Sequence, residues 1–328
     1  MFILLRSAAT KNDLGCHAAA RTLSGGAMRT ALTALLFLAL RLGAEPVPVS
    51  RAAPKAAPVE LKSAGRLLRT ALPECSGLWA SPSMPGVFWA VTDHGPRPRL
   101  IPVRADGSFP VHGGTPWMGS EVVGAARTDW EAVTGEAGGR MVVADVGNNL
   151  SLRKELQLYV LQEPAPGAPE VAARRVVFSW PDQDVFPDPE LSHDCEAAFM
   201  RGGKVYLLTK HRRDTLTDLW RIEIPAEGAK AAPVKVARFD ALGMVTDASV
   251  SPDGTKLAVL TYRFAWVFDL PPEGEAFFSG RARGAALSPP LLSWQLEGCA
   301  WADASTLLLA SEQGDLFRLP VSSLTEVK

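Results

Sequence analysis

The sequence is poor in the features that mark common enzymes and membrane proteins. It has no Gly-x-Ser-x-Gly elbow, no Gly-rich phosphate loop ending in Gly-Lys-Ser/Thr, no dinucleotide fingerprint and no His-x-x-x-His pair. The usual signatures of nucleophilic hydrolases, nucleotide enzymes and zinc peptidases are therefore missing. An excess of charge is missing too: Lys and Arg total 34, Asp and Glu 35, for a net charge of -1. That balance gives no general electrostatic reason to bind nucleic acid or an anionic membrane. The uncharged stretch Ala31–Leu40 is ten residues long, well short of the about 20 that span a bilayer, and no other segment qualifies. Charged residues make up only 21% of the chain against 47% apolar, with 28 glycines and 26 prolines. This is a globular, turn-rich composition rather than a disordered one.

The N-terminus reads as an address. Met28-Arg29-Thr30, the apolar Ala31–Leu40 and then Arg41-Leu42-Gly43-Ala44-Glu45 have the basic, apolar and small-residue order of a secretory signal. Cleavage is expected after Ala44, which implies a secreted or periplasmic protein. A buried helix is the alternative reading of the apolar stretch. Residues 1–27 are interrupted by Asp13 and mixed polar residues, so a start called too early, with Met28 as the true start, explains them. Residues 45–57 form a Pro/Ala linker, extended and unable to build a core. Residues 58–328 are left as one domain.

That domain repeats itself. Five times a short polar-headed strand leads through a turn to a second apolar strand. The pairs begin at Glu74-Cys75-Ser76, Asp129-Trp130-Glu131, Asp194-Cys195-Glu196, Thr246-Asp247-Ala248 and Glu297-Gly298-Cys299. Aligning Ser76, Glu131, Glu196, Ala248 and Glu297 gives spacings of 55, 65, 52 and 49 residues. The turns carry hairpin chemistry: Ser83–Gly86, Gly138-Gly139, Gly202-Gly203 and Ser251–Gly254. Third strands follow at 156–161, 218–224, 266–270 and 315–319, and fourth strands at 171–180, 234–239 and 291–296. Four strands in about fifty residues make one propeller blade. The expected fold is an all-β propeller of five four-stranded blades, with six blades or a two-sheet sandwich as alternatives. The last repeat lacks a fourth strand, so Val59–Leu68 is expected to complete it and close the ring.

Antiparallel pairing puts the start of each first strand and the end of each second strand at one face. One channel mouth should thus collect Asp129, Glu131, Asp145, Asp194 and Glu196, together with Asp93, His94, Lys210, His211 and Glu312. Carboxylates at this density repel unless something offsets them. Hard oxygen ligands point to Ca²⁺, with Asp129, Glu131, Asp145, Asp194 and Glu196 as its ligands. The alternative is that the acids cap strand ends by accepting backbone N–H groups. Asp93, His94, Lys210, His211 and Glu312 are the candidates for holding a ligand, and the cations nearby admit a small anionic one. The acidic insertion Trp180–Glu190 should wall this mouth. Cys75, Cys195 and Cys299 are either small buried residues or, for Cys75 and Cys299, a bridge between the first and last blades.

Asp129-Trp130-Glu131-Ala132, Asp145-Val146-Gly147-Asn148-Asn149 and Leu158-Tyr159-Val160-Leu161-Gln162-Glu163-Pro164 resemble a group of bacterial secreted β-propellers of unknown activity. Glu74-x-Ser76-Gly77-Leu78 with Thr92-Asp93 is similar to propellers described as esterase-like phytases and SdiA-regulated proteins. Glu297-Gly298-x-Ala300-Trp301 resembles gluconolactonase-like propellers more weakly. The phytase-like resemblance implies Ca²⁺ and phosphoester hydrolysis. The expected function is therefore a monomeric, exported propeller that binds a ligand or an envelope protein at an acidic, Ca²⁺-binding mouth. A Ca²⁺-dependent hydrolase of a phosphoester or ester is the alternative. No nucleic acid is expected as a partner.

Overall fold

The computed structural model describes residues 45–327, apart from 96, 292 and 293. The expected signal and early start lie outside them. Among the described residues the fold is all-β, with one short 3-10 turn at Val321–Ser323 and no helix long and apolar enough to cross a membrane.

Each repeat folds into an antiparallel, propeller-like sheet. The first uses Cys75–Ala80, Val87–Thr92, Arg99–Arg104 and Ser120–Val123, and the second Trp130–Gly135, Arg140–Asp145, Leu156–Gln162 and Glu170–Phe178. Their outermost strands pair in parallel, Glu170 beside Glu121 and Ala172 beside Val123, so these two repeats share one eight-stranded sheet. The third repeat is Cys195–Arg201, Lys204–Thr209, Leu216–Glu223 and Val234–Asp240. The turn glycines do what the sequence asks of them: Gly86, Gly139, Gly202 and Gly254 all have positive φ.

The fourth repeat differs from expectation at its outer strand, which is Ala282–Ser288 rather than 291–296. Its sequence, Ala-Arg-Gly-Ala-Ala-Leu-Ser, is too small-sided to read as a strand. Smallness is what the packing requires: a Cβ on Gly284 would lie 2.7 Å from the Phe264 ring and 3.0 Å from that of Trp266.

The fifth repeat, Leu296–Asp303, Thr306–Ser311 and Asp315–Pro320, takes its fourth strand from the N-terminus. The expected strand Val59–Leu68 is in fact two. Val59–Glu60 pairs in parallel with Leu287-Ser288 of the fourth repeat, and only Ser63–Arg66 pairs with Asp315–Phe317 of the fifth. The chain end, Thr325–Val327, also lies on the fourth repeat, against Ala282–Gly284. The Pro/Ala segment is extended as expected but is fastened down. Val49 exchanges backbone bonds with Arg238 and Asp240, and Arg51 donates to the carbonyls of Phe278 and Gly280. The compact unit that carries the repeats begins at Pro46.

The core lies between sheets. Successive repeats enclose clusters such as Trp89, Trp117, Trp130 and Tyr159, or Phe199, Phe239, Trp266 and Phe278. A further cluster packs Leu78, Phe88 and Ile101 of the first repeat on Ala300, Leu308 and Leu316 of the fifth. The innermost strands neighbour one another in chain order, and Leu296–Asp303 neighbours Cys75–Ala80. Cys75, Cys195 and Cys299 are buried free thiols.

Candidate functional site

One irregularity recurs in all five repeats. Between first and second strands the pairing skips a residue. Cys75 faces Thr92 but Gly77 faces Val91, and Trp130 faces Asp145 but Ala132 faces Ala144. The same slip occurs at 195/197, 245/247 and 296/298. The skipped residues are Ser76, Glu131, Glu196, Thr246 and Glu297. A bulge leaves its extra residue unpaired and re-aims the side chain, so these five are set apart from the alternation of their strands. In the fourth repeat the counterpart of Glu131 is Thr246, not the expected Ala248. A slip of two residues preserves every face of a strand, so the hydrophobic pattern could not detect it.

The two hydroxyl residues stitch neighbours together. Ser76 Oγ donates to the Trp130 carbonyl at 2.6 Å, and Thr246 Oγ1 to that of Leu296 at 2.7 Å. Asp247 beside Thr246 is fully buried, and its carboxylate accepts the N–H groups of Ala248, Cys299 and Leu78 at 2.8, 2.6 and 3.3 Å. It ties the fourth, fifth and first repeats together as a structural acceptor.

The three glutamates behave differently. Glu131 and Glu196 are 7% and 4% exposed, and Glu297 is half-buried. Burial raises the pKa of Glu131 well above the carboxylate range, and the charges of Glu196, Asp129, Asp194 and Glu297 add to it. Burial likewise pushes Glu196 up to about 8 and Glu297 up to about 7, with Lys210 pulling both back. Lys210 is 1% exposed, and its ammonium donates to Glu196 and, at 2.6 Å, to Tyr262 Oη, 4.5 Å from the centre of the Tyr262 ring. Burial opposes the Lys210 charge, but Glu196 and Tyr262 outweigh it and raise its pKa.

The five expected Ca²⁺ ligands divide into two groups. Asp145 accepts from the N–H groups of Thr128 and Asp129, from Arg153 at 2.7 Å and from Gln157. Asp194 accepts from the N–H groups of Asn148 and Cys195 and from Arg212 at 2.7 Å. Both oxygens of each are taken by protein donors, so these two are strand-end anchors. Asp129 and Glu131 meet each other, and a Cβ on Gly147 would lie 2.3 Å from the Asp129 carboxyl and 2.5 Å from Glu131 Oε1. Glu196 holds Lys210. The five therefore do not form a single ligand shell. Among the described residues, the carboxyls of this group that no basic side chain pairs with are Asp129, Glu131 and Glu297, since Glu196 meets both Lys210 and, at 3.6 Å, Arg212.

Of the expected ligand residues, Asp93, His94 and Glu312 belong to a second acidic group at the first and fifth repeats. His94 Nδ1 lies 2.6 Å from Glu74 Oε2 and 2.9 Å from Asp93 Oδ2. Among the described residues, these are the only three groups of metal-ligating type within 4.8 Å of one another. The bond to Asp93 raises the His94 pKa. Glu312 is held by Gln295 and Gln313 at 2.8 and 2.9 Å. His211 is not part of either group: its ring is buried against Asp214, at 2.9 Å, and Asp218, at 3.8 Å, within its own repeat. The insertion is pinned by His193, which bridges Asp188 and Asp182 at 2.7 and 3.0 Å, while Lys235 reaches Asp182 at 2.8 Å.

Glu297 and Tyr262 carried more of the site than their sequence context indicated. Glu297 shares its repeat position with Glu131 and Glu196, and that was the available signal.

No family model matches the chain, and neither does any curated protein. Among solved structures it is similar to the Cps50 (Swd1) β-propeller domain of Myceliophteria thermophila, at 12% identity and a TM-score of 0.40, covering 75% of this chain and 83% of that one. It is also similar to Hsv2 of Kluyvelomyces marxianus, at 11% identity and a TM-score of 0.30, covering 72% of this chain and 60% of that one. The sheet order above, not these likenesses, carries the description of the fold.

Proposed function

We propose that the chain is an exported, monomeric propeller of five blades, closed by its own N-terminal strand, that binds a cation at the bulge-lined mouth. Ca²⁺ is the simplest such cation, and a cationic group on an envelope partner is the larger equivalent. The observation that carries the reading is the imbalance at the bulges. Glu131, Glu196 and Glu297, with Asp129 alongside, crowd into one mouth where Lys210 and, at 3.6 Å, Arg212 both face Glu196, and no basic side chain pairs with the other three among the described residues. Bringing in a cation would relieve the repulsion that raises their pKa values. A small anion is a poorer fit, because Lys210, Arg153 and Arg212 are each already paired with a carboxylate of the protein. Five inner strands neighbouring in sequence, with the first beside the last, support the blade count.

Calorimetric titration of metal-stripped protein with Ca²⁺ tests this. Saturable binding, weakened about tenfold or more by Glu131→Gln or Glu297→Gln, is expected. A flat titration would remove the reading.

A second reading, hydrolysis of a phosphoester or lactone, draws on one observation. Glu297, pushed up to about 7, sits in the suitable range for proton transfer near neutral pH. Turnover of such substrates that is lost in Glu297→Gln would favour it.

A further inference from the structure

The loop that joins the second and third strands of the first repeat borders a cleft of about 340 Å³. Three arginines line it, Arg97, Arg99 and Arg127, and among the described residues no Asp or Glu does. None of the acids of the bulge-lined mouth reaches it, and neither does Lys210. In a chain of net charge -1, such a wall is a local surplus of positive charge.

Two of the three arginines are set in place by backbone. Arg99 donates from Nη2 to the Gly119 carbonyl at 2.9 Å, and Arg127 from Nη1 to the His94 carbonyl at 2.9 Å. Thr92 Oγ1 donates to that same His94 carbonyl at 3.1 Å. Gly95 makes room for the Arg127 guanidinium: its φ is +127°, and a Cβ there would lie 3.2 Å from Nη2. Among the described residues, the other guanidinium nitrogens of Arg99 and Arg127 bond nothing, and neither side chain forms an ion pair. Each fork is therefore held by one corner with its remaining donors unused.

Acids stand nearby, but each faces another group. Glu121 reaches Arg97 at 3.4 Å. Asp93 and Glu74 hold His94 Nδ1, and Asp145 is filled by its own donors. Asp93 and Asp145 favour the charge of half-buried Arg127, but burial outweighs them and lowers its pKa. An incoming anion would supply the missing counter-charge.

Part of the remaining wall is apolar: Met118, 42% exposed, with half-buried Ala71 and Pro73. An inorganic anion gains nothing from these side chains, whereas a carbon skeleton covers them. Two forks anchored on different carbonyls, at Gly119 and His94, suit two separate anionic groups. Each fork matches the two oxygens of one carboxylate.

We propose that this cleft binds a small organic dicarboxylate, with one carboxylate on Arg99, the other on Arg127, and the carbon skeleton against Met118, Ala71 and Pro73. The site is independent of the cation at the bulge-lined mouth.

Calorimetric titration of the metal-stripped full chain with succinate tests this. Saturable binding of one succinate per chain is expected, with a Kd on the order of 0.1 mM. It should weaken about tenfold between about 0.05 and 0.5 M NaCl, because the contacts are ionic. Arg99→Gln or Arg127→Gln should weaken it about tenfold or more, while Glu131→Gln, at the bulge-lined mouth, should leave it unaltered. Both arginines also anchor loops, so Thr70→Glu provides a second variant that leaves those anchors intact. It places a carboxylate at the exposed rim, where it should compete for the arginines and weaken binding about tenfold without lowering the melting temperature. Inorganic phosphate should bind about tenfold more weakly than succinate. A flat succinate titration overturns the proposal, as does phosphate binding that equals it. So does a Thr70→Glu chain that keeps the wild-type melting temperature and binds succinate as before.

Discussion

The two mouths are built from the same five strands, four residues apart, yet they are chemical opposites. At one end the bulge residues are Ser76, Glu131, Glu196, Thr246 and Glu297, three of them acids around one ammonium. At the other the ring is Ala80, Gly135, Met200, Val250 and Trp301. The difference lies in backbone geometry as much as in composition. A bulge takes its residue out of the pleat and frees it from packing on the neighbouring sheet. A regular strand end keeps its side chains in apolar contact. One strand can therefore present a charge and, one step later, join a core.

The largest expected effect removes both mouths at once. Deleting residues 58–70 should abolish cooperative melting and cation binding, because the Asp315–Pro320 edge loses its partner strand and the Asp106 carbonyl of the first repeat its bond from Arg66. A truncated chain that melts with an unchanged midpoint would show that the two mouths do not depend on that strand.

Next comes the acidic mouth alone. Lys210→Met takes from buried Glu196 the nearer of its two counter-charges, leaving Arg212 at 3.6 Å, and should cost about 3 kcal/mol in denaturant unfolding. Adding Glu196→Leu should recover most of that.

Gly147→Ala is expected to cost about 1–3 kcal/mol, since its Cβ would have to push the Asp129 or Glu131 carboxyl aside. Cation binding should weaken along with stability.

The smallest effect is a slope. Glu196 and Glu297 have folded pKa values raised to about 8 and about 7. The folded state therefore holds protons that the unfolded chain releases above its ordinary carboxyl pKa of about 4.3. Their contribution to stability is complete below that pH and is lost as pH rises through about 7 and 8. Melting temperature should decline over this window, and Glu297→Gln should flatten the decline. A profile that rises through it would contradict the crowding of these acids.

The repeat, the turns and the face carrying the polar residues were legible because strand alternation and hairpin glycines leave marks in sequence. The bulges were not, since a skipped residue changes pairing without changing composition. Thr246 was overlooked for that reason, and Ala248 put in its place. Glu297 comes from the far end of the chain, and its sequence position does not reveal which acids it faces. In a narrow ring, bulges aimed inward make it a neighbour of Glu131, which feels its charge. Asp145 and Asp194 resembled ligands because an acid that caps backbone N–H groups looks the same in sequence as one that holds a metal. The outer strand Ala282–Ser288 was missed because its job is to be thin beneath Phe264 and Trp266.

Val59–Glu60 and Thr325–Val327 flank one another on a single strand, at Leu287-Ser288 and Ala282–Gly284. Val59 and Val327 are thus registered to positions five residues apart, about 17 Å of strand. A flexible connector of about ten residues reaches that far with slack. The order in which the repeats are encoded is then arbitrary with respect to how their strands pair. A gene reopened at the Gly138-Gly139 hairpin and joined across Val327 and Val59 should specify the same strand pairing, without the contacts that Val49 and Arg51 make, and with its breaks in a surface turn.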